Sequence, residues 1–167
     1  MEVKHLGQRV AVFLDVQNLY HSAKNLYQAR VNFGSILKSA VAGRTLIRAF
    51  GYVVKTKTGE ERAFFDALIK LGIETRVRDL QEFFGGMKKA DWDVGLTVDA
   101  IRISPSVDVV VLGSGDGDFI QLVEYLQNQG KRVEVIAFGK SSSAKLKEVA
   151  DEFIDLCEHP VKYLLKR

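Results

Sequence analysis

Val109-Val110-Val111-Leu112-Gly113-Ser114-Gly115-Asp116-Gly117-Asp118-Phe119 decides how the rest of the chain is read. The run from Val109 to Leu112 is apolar and β-branched without polar alternation, the pattern of a strand covered on both faces in a parallel sheet. Three glycines at alternate positions let the backbone turn sharply after it. Asp116 and Asp118 therefore fall at the carboxyl end of a central strand, where open α/β sheets place their ligands. A helix is predicted to follow, from about Asp118 to Asn128. Two carboxylates held there repel each other unless a cation is bound, and hard oxygen ligands suit Mg²⁺ or Mn²⁺.

The same pattern occurs near the start of the chain. Val10-Ala11-Val12-Phe13-Leu14 is apolar and ends at Asp15, with Asn18 close behind. Between and beyond these two strands the periodicities alternate. Helices are predicted over 18–28, 33–41, 60–71, 92–103 and 144–150. Strands are predicted over 45–54, 73–77 and 132–137, with a short one at Phe153-Ile154. Gly72 and Pro105 act as stop signals. Residues 78–90 are irregular, with Phe83-Phe84-Gly85-Gly86 read as a hairpin turn or a mobile loop. Ser141-Ser142-Ser143 is read as a flexible helix start, and the basic tail from His159 as a helical turn. Strands alternating with helices imply a three-layer α/β/α sandwich with a mainly parallel sheet. Right-handed crossovers would bring the strand-end acids to one edge.

At 167 residues the chain has the length of one domain, read as 1–167 with a core of about 8–155. A net charge of +3 is compatible with nucleic acid without arguing for it. The single cysteine, Cys157, excludes an intramolecular disulfide and a Cys-based zinc site. His5, His21 and His159 have no ligand spacing. The polar first residues exclude a signal peptide and no apolar run reaches membrane-spanning length, so a cytoplasmic setting is expected.

The third contributor to the acid cluster is expected from the helix opened by Lys89-Ala90-Asp91-Trp92-Asp93. Asp91 is a candidate N-cap, and Asp93 lies in the first turn near the positive end of the helix dipole. Asp99 is six residues on, roughly 120° around the helix at ~100° per residue, so it cannot share a narrow face with Asp93. It is read as a supporting residue or one that orients Lys or Arg. Each acid alone is more often a turn residue or cap. Several at consistent strand and helix ends point instead to metal-assisted phosphodiester hydrolysis, with Asp15, Asp93, Asp116 and Asp118 on the metal. Asn18 and Ser114 would orient a water or a phosphate oxygen. Backbone contacts to RNA need positive charge, for which Arg78, Lys88 and Lys89 are the best candidates. Tyr20, Phe83, Phe84 and Trp92 are candidate platforms for stacking single-stranded RNA.

Three stretches, Phe13-Leu14-Asp15-Val16-Gln17-Asn18, Lys89-Ala90-Asp91-Trp92-Asp93-Val94-Gly95-Leu96-Thr97-Val98-Asp99 and Ser114-Gly115-Asp116-Gly117-Asp118-Phe119, together resemble the NYN domain family of the PIN-like superfamily, in its LabA-like bacterial branch. The resemblance implies a PIN-like fold and a metal-dependent ribonuclease site. Position by position, it carries over Asp15 with its companion Asn18, the helix-borne Asp93, and Asp116 with Asp118 as a further ligand or water-positioner. Asp99 matches a recurring acid of the branch. The alternative is a PIN-like domain that binds RNA or a regulatory protein without cutting, and a homo-oligomer is left open. A phosphotransfer domain is disfavoured because Asp15 has no second Asp two residues on. Dinucleotide binding is disfavoured because the glycines at 113, 115 and 117 are wrongly spaced.

Overall fold

The computed structural model describes residues 4–56, 61–82, 88–89 and 91–165. In chain order the elements are β1 (Arg9–Asp15), α1 (Val16–Tyr27), β2 (Arg30–Val31), α2 (Phe33–Val41), β3 (Thr45–Lys55), α3 (Arg62–Lys70), β4 (Glu74–Asp79), β5 (Gln81–Glu82) and β6 (Lys88–Lys89). There follow α4 (Asp93–Ile103), β7 (Val109–Gly113), α5 (Ile120–Asn128), β8 (Arg132–Ala137), α6 (Ala144–Val149), β9 (Glu152–Asp155), α7 (Pro160–Tyr163) and β10 (Leu164–Leu165).

Six strands form one sheet in the order β4-β3-β1-β7-β8-β9, every neighbouring pair parallel. The apolar runs of β1 and β7 occupy its centre and are buried along nearly their whole length. Alternate residues of β1 serve two cores. Val10, Val12 and Leu14 pack with Leu19, Ile36, Leu37 and Leu68 of α1, α2 and α3. Ala11 and Phe13 pack with Leu96, Ala100, Leu122, Val123 and Leu146 of α4, α5 and α6. The result is the three-layer α/β/α arrangement expected of a sequence in which strands and helices alternate.

The strand order also explains where a site can form. From β1 the chain moves outward through β3 to β4, then returns to lay β7 on the other side of β1 and proceeds to β8 and β9. The order reverses between β1 and β7. Crossovers leave that point in opposite directions and open a crevice at the carboxyl ends of these two strands.

The structure departs from the sequence reading in a few places. The helix after the central strand begins at Ile120, because Gly117–Phe119 forms a separate 3₁₀ turn capped by Asp116. Ser141–Ser143 is not a loose lead-in. Ser141 and Ser142 hydroxyls donate to the Ser22 hydroxyl and the Phe138 carbonyl, at 2.8 and 2.7 Å, and Ser143 caps α6 by accepting from the Leu146 N–H. The tail does contain a helical turn, α7, but β10 then pairs antiparallel with β2. Two-residue strands carry no readable periodicity, so this pairing left no trace in the sequence. In the irregular region β5 and β6 pair antiparallel, as a hairpin requires. Phe83-Phe84-Gly85-Gly86 lies outside the described residues. No helix among the described residues is long and apolar enough to cross a membrane.

Candidate metal centre

Asp15 ends β1 and is 92% shielded from solvent, with 8% exposed. Its carboxylate has two jobs on the protein side. One oxygen caps α1 by accepting from the Asn18 N–H at 3.3 Å, and the other accepts from the Ser114 hydroxyl at 3.0 Å. Ser114 is fully buried, and its oxygen in turn accepts from the Asp116 N–H at 3.2 Å. The Asn18 side-chain carbonyl accepts from the Gly115 N–H at 3.0 Å. Asp116 accepts from the Asp118 N–H at 2.9 Å. These short-range bonds tie the end of β1 to the turn after β7, and each acid doubles as a turn or cap acceptor.

The turn is also held from the far side. The Gly115 carbonyl accepts from the Ser143 N–H at 2.9 Å. A Cβ at Gly115 would stand 2.9 Å from the Ser142 Cα, which real side chains do not tolerate. Glycine is required here by close approach of the α6 entry.

The third acid arrives on α4. Asp91 precedes the helix and accepts from the Asp93 N–H at 3.2 Å, so it caps the first turn from outside while Trp92 occupies the N-cap position. Asp93, Asp116 and Asp118 each present a carboxylate oxygen within 4.8 Å of the others. Asp15 is set back from this trio behind its bonds to Ser114 and Asn18. Among the described residues, none of these four acids is ion-paired to a lysine or arginine. The electrostatic strain shows in their proton affinities. Burial first, then the charges of Asp116, Asp91, Asp15 and Asp118, push the Asp93 carboxyl up to about 7. Burial, opposed by the Ser114 and Asn18 hydrogen bonds, pushes Asp15 up to about 6. A divalent cation would relieve both, and three converging carboxylates are a donor set suited to Mg²⁺ or Mn²⁺.

Trp92 is placed by packing, not displayed as a stacking platform. Its indole N–H donates to the Val53 carbonyl at 2.9 Å, and its ring lies 5.4 Å from that of Tyr52. The Arg78 guanidinium sits 4.4 Å over it and donates to the Asp91 carbonyl at 2.6 Å. A Cβ at Gly95 would come 2.6 Å from the ring. Trp92 thus wedges the start of α4 against β3, and Arg78 stands beside the acid cluster. Tyr20 is exposed and makes an edge contact with His21. Lys88 and Lys89 form β6, just before α4; their side chains lie outside the described set.

Asp99 stands apart from the trio. It accepts from the Tyr52 hydroxyl at 2.8 Å and pairs with Arg76 at 3.4 Å, the arginine-orienting role allowed for by its position on the helix. Burial and that bond push the Tyr52 hydroxyl well up. Tyr52 itself escaped sequence reasoning. Its signal was the β1–β3 register, which pairs Asp15 with Tyr52 and exists only in three dimensions.

Comparison with known proteins agrees with this fold. The chain is 26% identical to the low amplitude and bright protein LabA of Synechococcus elongatus, covering 89% of this chain and 83% of that one. It is 24% identical to an uncharacterized protein of Methanocaldococcus jannaschii, covering 90% of this chain but only 56% of that longer one. A crystal structure of a protein of unknown function from Vibrio parahaemolyticus superposes with a TM-score of 0.87 at 32% identity, covering 98% of this chain and 100% of its own. The NYN domain profile matches residues 9–157, from the first residue of β1 to just past β9 and so across the whole sheet and every acid of the cluster, and the chain belongs to the NYN domain family.

Proposed function

We propose that this protein is a metal-dependent ribonuclease that hydrolyses phosphodiester bonds of RNA at the β1–β7 crevice. NYN domains are generally nucleases that bind RNA and use divalent metals. The observation that carries the reading for this chain is the meeting of Asp93, Asp116 and Asp118 oxygens within 4.8 Å, beside a buried Asp15, with no ion pair to a basic side chain among the described residues. An acid cluster this costly is out of place in a purely structural turn.

In this reading Asp93, Asp116 and Asp118 hold Mg²⁺ or Mn²⁺, and Asp15 joins them directly or fixes their geometry. When bound, the ion offsets charge on the scissile phosphate and lowers the pKa of an attacking water. The chain's own residues do the positioning. Asp15 holds the Ser114 hydroxyl, which holds the Asp116 backbone, so the acid at the end of β7 is aimed by the acid at the end of β1. Asn18 locks the Gly115 backbone and keeps the crevice floor rigid. Arg78 brings positive charge to the rim, where a phosphate backbone needs it. Lys88 and Lys89, which precede α4 in the chain, are proposed as further phosphate contacts. Single-stranded RNA is the expected substrate, since its phosphates can enter a crevice that a duplex would bridge.

The test is cleavage of fluorescent single-stranded RNA with Mn²⁺, Mg²⁺ or EDTA by the parent and Asp116→Asn. Expected is metal-dependent cutting that falls by about a thousand-fold in the variant, several kcal/mol of transition-state stabilisation. Cutting that survives EDTA or the substitution overturns the assignment. Binding without cutting by the parent would favour a regulatory RNA-binding domain.

A further inference from the structure

We infer that α4 is the interface of a homodimer, two copies packing antiparallel about a two-fold axis near Val98. The inference is independent of the nuclease reading. Helix α4 is apolar on two faces. Leu96 and Ala100 are completely buried against the sheet. On the outward side, Val94 is 75% exposed, Val98 41% and Ile101 37%. At ~100° per residue these three fall within about 60° of one another, roughly opposite Leu96 and Ala100. A helix with one face on solvent is expected to be polar there. Three β-branched side chains in an i, i+4, i+7 row form the seam of a helix–helix contact.

The ends of the helix identify the occupant as a second copy. Arg102 lies exposed in the last turn, and Asp91 lies exposed just before the first. In an antiparallel pair centred between Thr97 and Val98, Val94 meets Ile101 of the second copy and Val98 lies at the axis. Arg102 then falls at the level of the second copy's first turn, on the flank that carries Asp91. Both charge pairs form at once, as the two-fold demands of a self-complementary patch. The antiparallel helix dipoles add a small favourable contribution. A parallel pair would instead set Arg102 against Arg102. The two acid clusters would lie at opposite ends of the paired helices, on the order of 16 Å apart along the axis for eleven residues at 1.5 Å each.

The experiment is mass measurement by light scattering after gel filtration, from micromolar to near-millimolar protein. The parent is expected to have the mass of two chains. Val98→Glu is expected to have the mass of one chain with an unchanged circular dichroism spectrum, because Val98 belongs to neither core cluster. Arg102→Glu is expected to weaken dimerisation several-fold, and Asp91→Arg in the same chain to restore it. In a Cys157→Ser background, Val98→Cys is expected to form an interchain disulfide on oxidation, since residues at a two-fold axis face their own copies. A parent that is monomeric throughout, or a dimer that persists in Val98→Glu, overturns the inference.

Discussion

The two ends of the central sheet handle buried carboxylates in opposite ways. At the amino end, Glu134 on β8 is fully buried, yet both its oxygens are met by the Arg44 guanidinium at 2.8 and 3.0 Å. Arg132 adds a third bond at 2.8 Å and continues to Glu152 at 3.1 Å. At the same end Arg9 and Asp108 are joined by three hydrogen bonds across the β1–β7 gap. At the carboxyl end, Asp15, Asp93, Asp116 and Asp118 gather with no cation among the described residues. The proton affinities follow the division. Arg9 pulls Asp108 down to about 2, and Arg44 and Arg132 outweigh burial and hold Glu134 below the usual range, whereas Asp15 and Asp93 are pushed up to about 6 and about 7. One end carries its compensation in the sequence, whereas at the other the acids face one another without a basic partner among the described residues.

Breaking the compensated end should have the largest effect on stability. Arg44→Met leaves Glu134 with Arg132 and, at 4.0 Å, the Lys4 ammonium, and losing the main partner of a buried charge costs about 3–5 kcal/mol. Urea unfolding is expected to show that loss, while RNA cleavage by the folded fraction stays at the parent's level. A loss under about 1 kcal/mol would mean that Arg132 and Lys4 suffice and the two ends differ less than their geometry says.

The uncompensated end should respond to pH in the opposite direction from an ordinary carboxylate. Asp15 binds its proton more tightly in the folded protein than in the unfolded chain, so the folded state holds more protons between pH 4 and about 6, and stability falls as pH rises through that window. Asp93 extends the decline to about pH 7. For Asp15 the total is about 3 kcal/mol, two pKa units at 1.36 kcal/mol each. In metal-free buffer, Asp15→Asn is expected to remove its own share of the decline, leaving the share due to Asp93, and to be more stable than the parent at pH 8, because asparagine caps α1 nearly as well. A parent whose stability rises from pH 4 to 7 would contradict the strain argument.

Adding the missing charge should act on this end alone. Mn²⁺ or Mg²⁺ at a hundred times its dissociation constant stabilises by about 2.7 kcal/mol, a melting shift of about 5–11 °C for a chain of this size. Asp116→Asn should lose most of that shift, and Arg44→Met should keep it. An equal shift in both variants would place the ion elsewhere.

The smallest effect tests how the two halves of the acid trio are aligned. Gly95→Ala adds a methyl that meets the Trp92 ring, held by Val53, Tyr52 and Arg78. Overpacking is partly offset by alanine's better helix propensity, for a net loss of about 1 kcal/mol. Because Trp92 sets the entry of α4, cleavage is expected to fall about tenfold through displacement of Asp93. An unchanged rate would show that Asp93 is positioned by the body of α4 alone.

Much of this protein was legible in its sequence because the relevant signals are local. Buried parallel strands advertise themselves as apolar β-branched runs, so β1 and β7 could be drawn to within a residue, and α2 and β8 with no error at either end. Strand-end acids followed by glycine or a helix start marked Asp15, Asp116 and Asp118, and the helix opening marked Asp93. Tertiary structure decided what depends on which strands become neighbours. It put β7 beside β1 and thereby brought Asp93, Asp116 and Asp118 together, with Asp15 set behind Ser114. It moved Trp92 from rim to wedge and gave Asp99 to Tyr52 and Arg76. It joined Arg44 to Glu134, ninety positions apart in the chain, and β2 to β10, each too short to carry a period. Periodicity and capping act over a few residues and are written in order along the chain, whereas pairing between distant segments is set by sheet topology and packing.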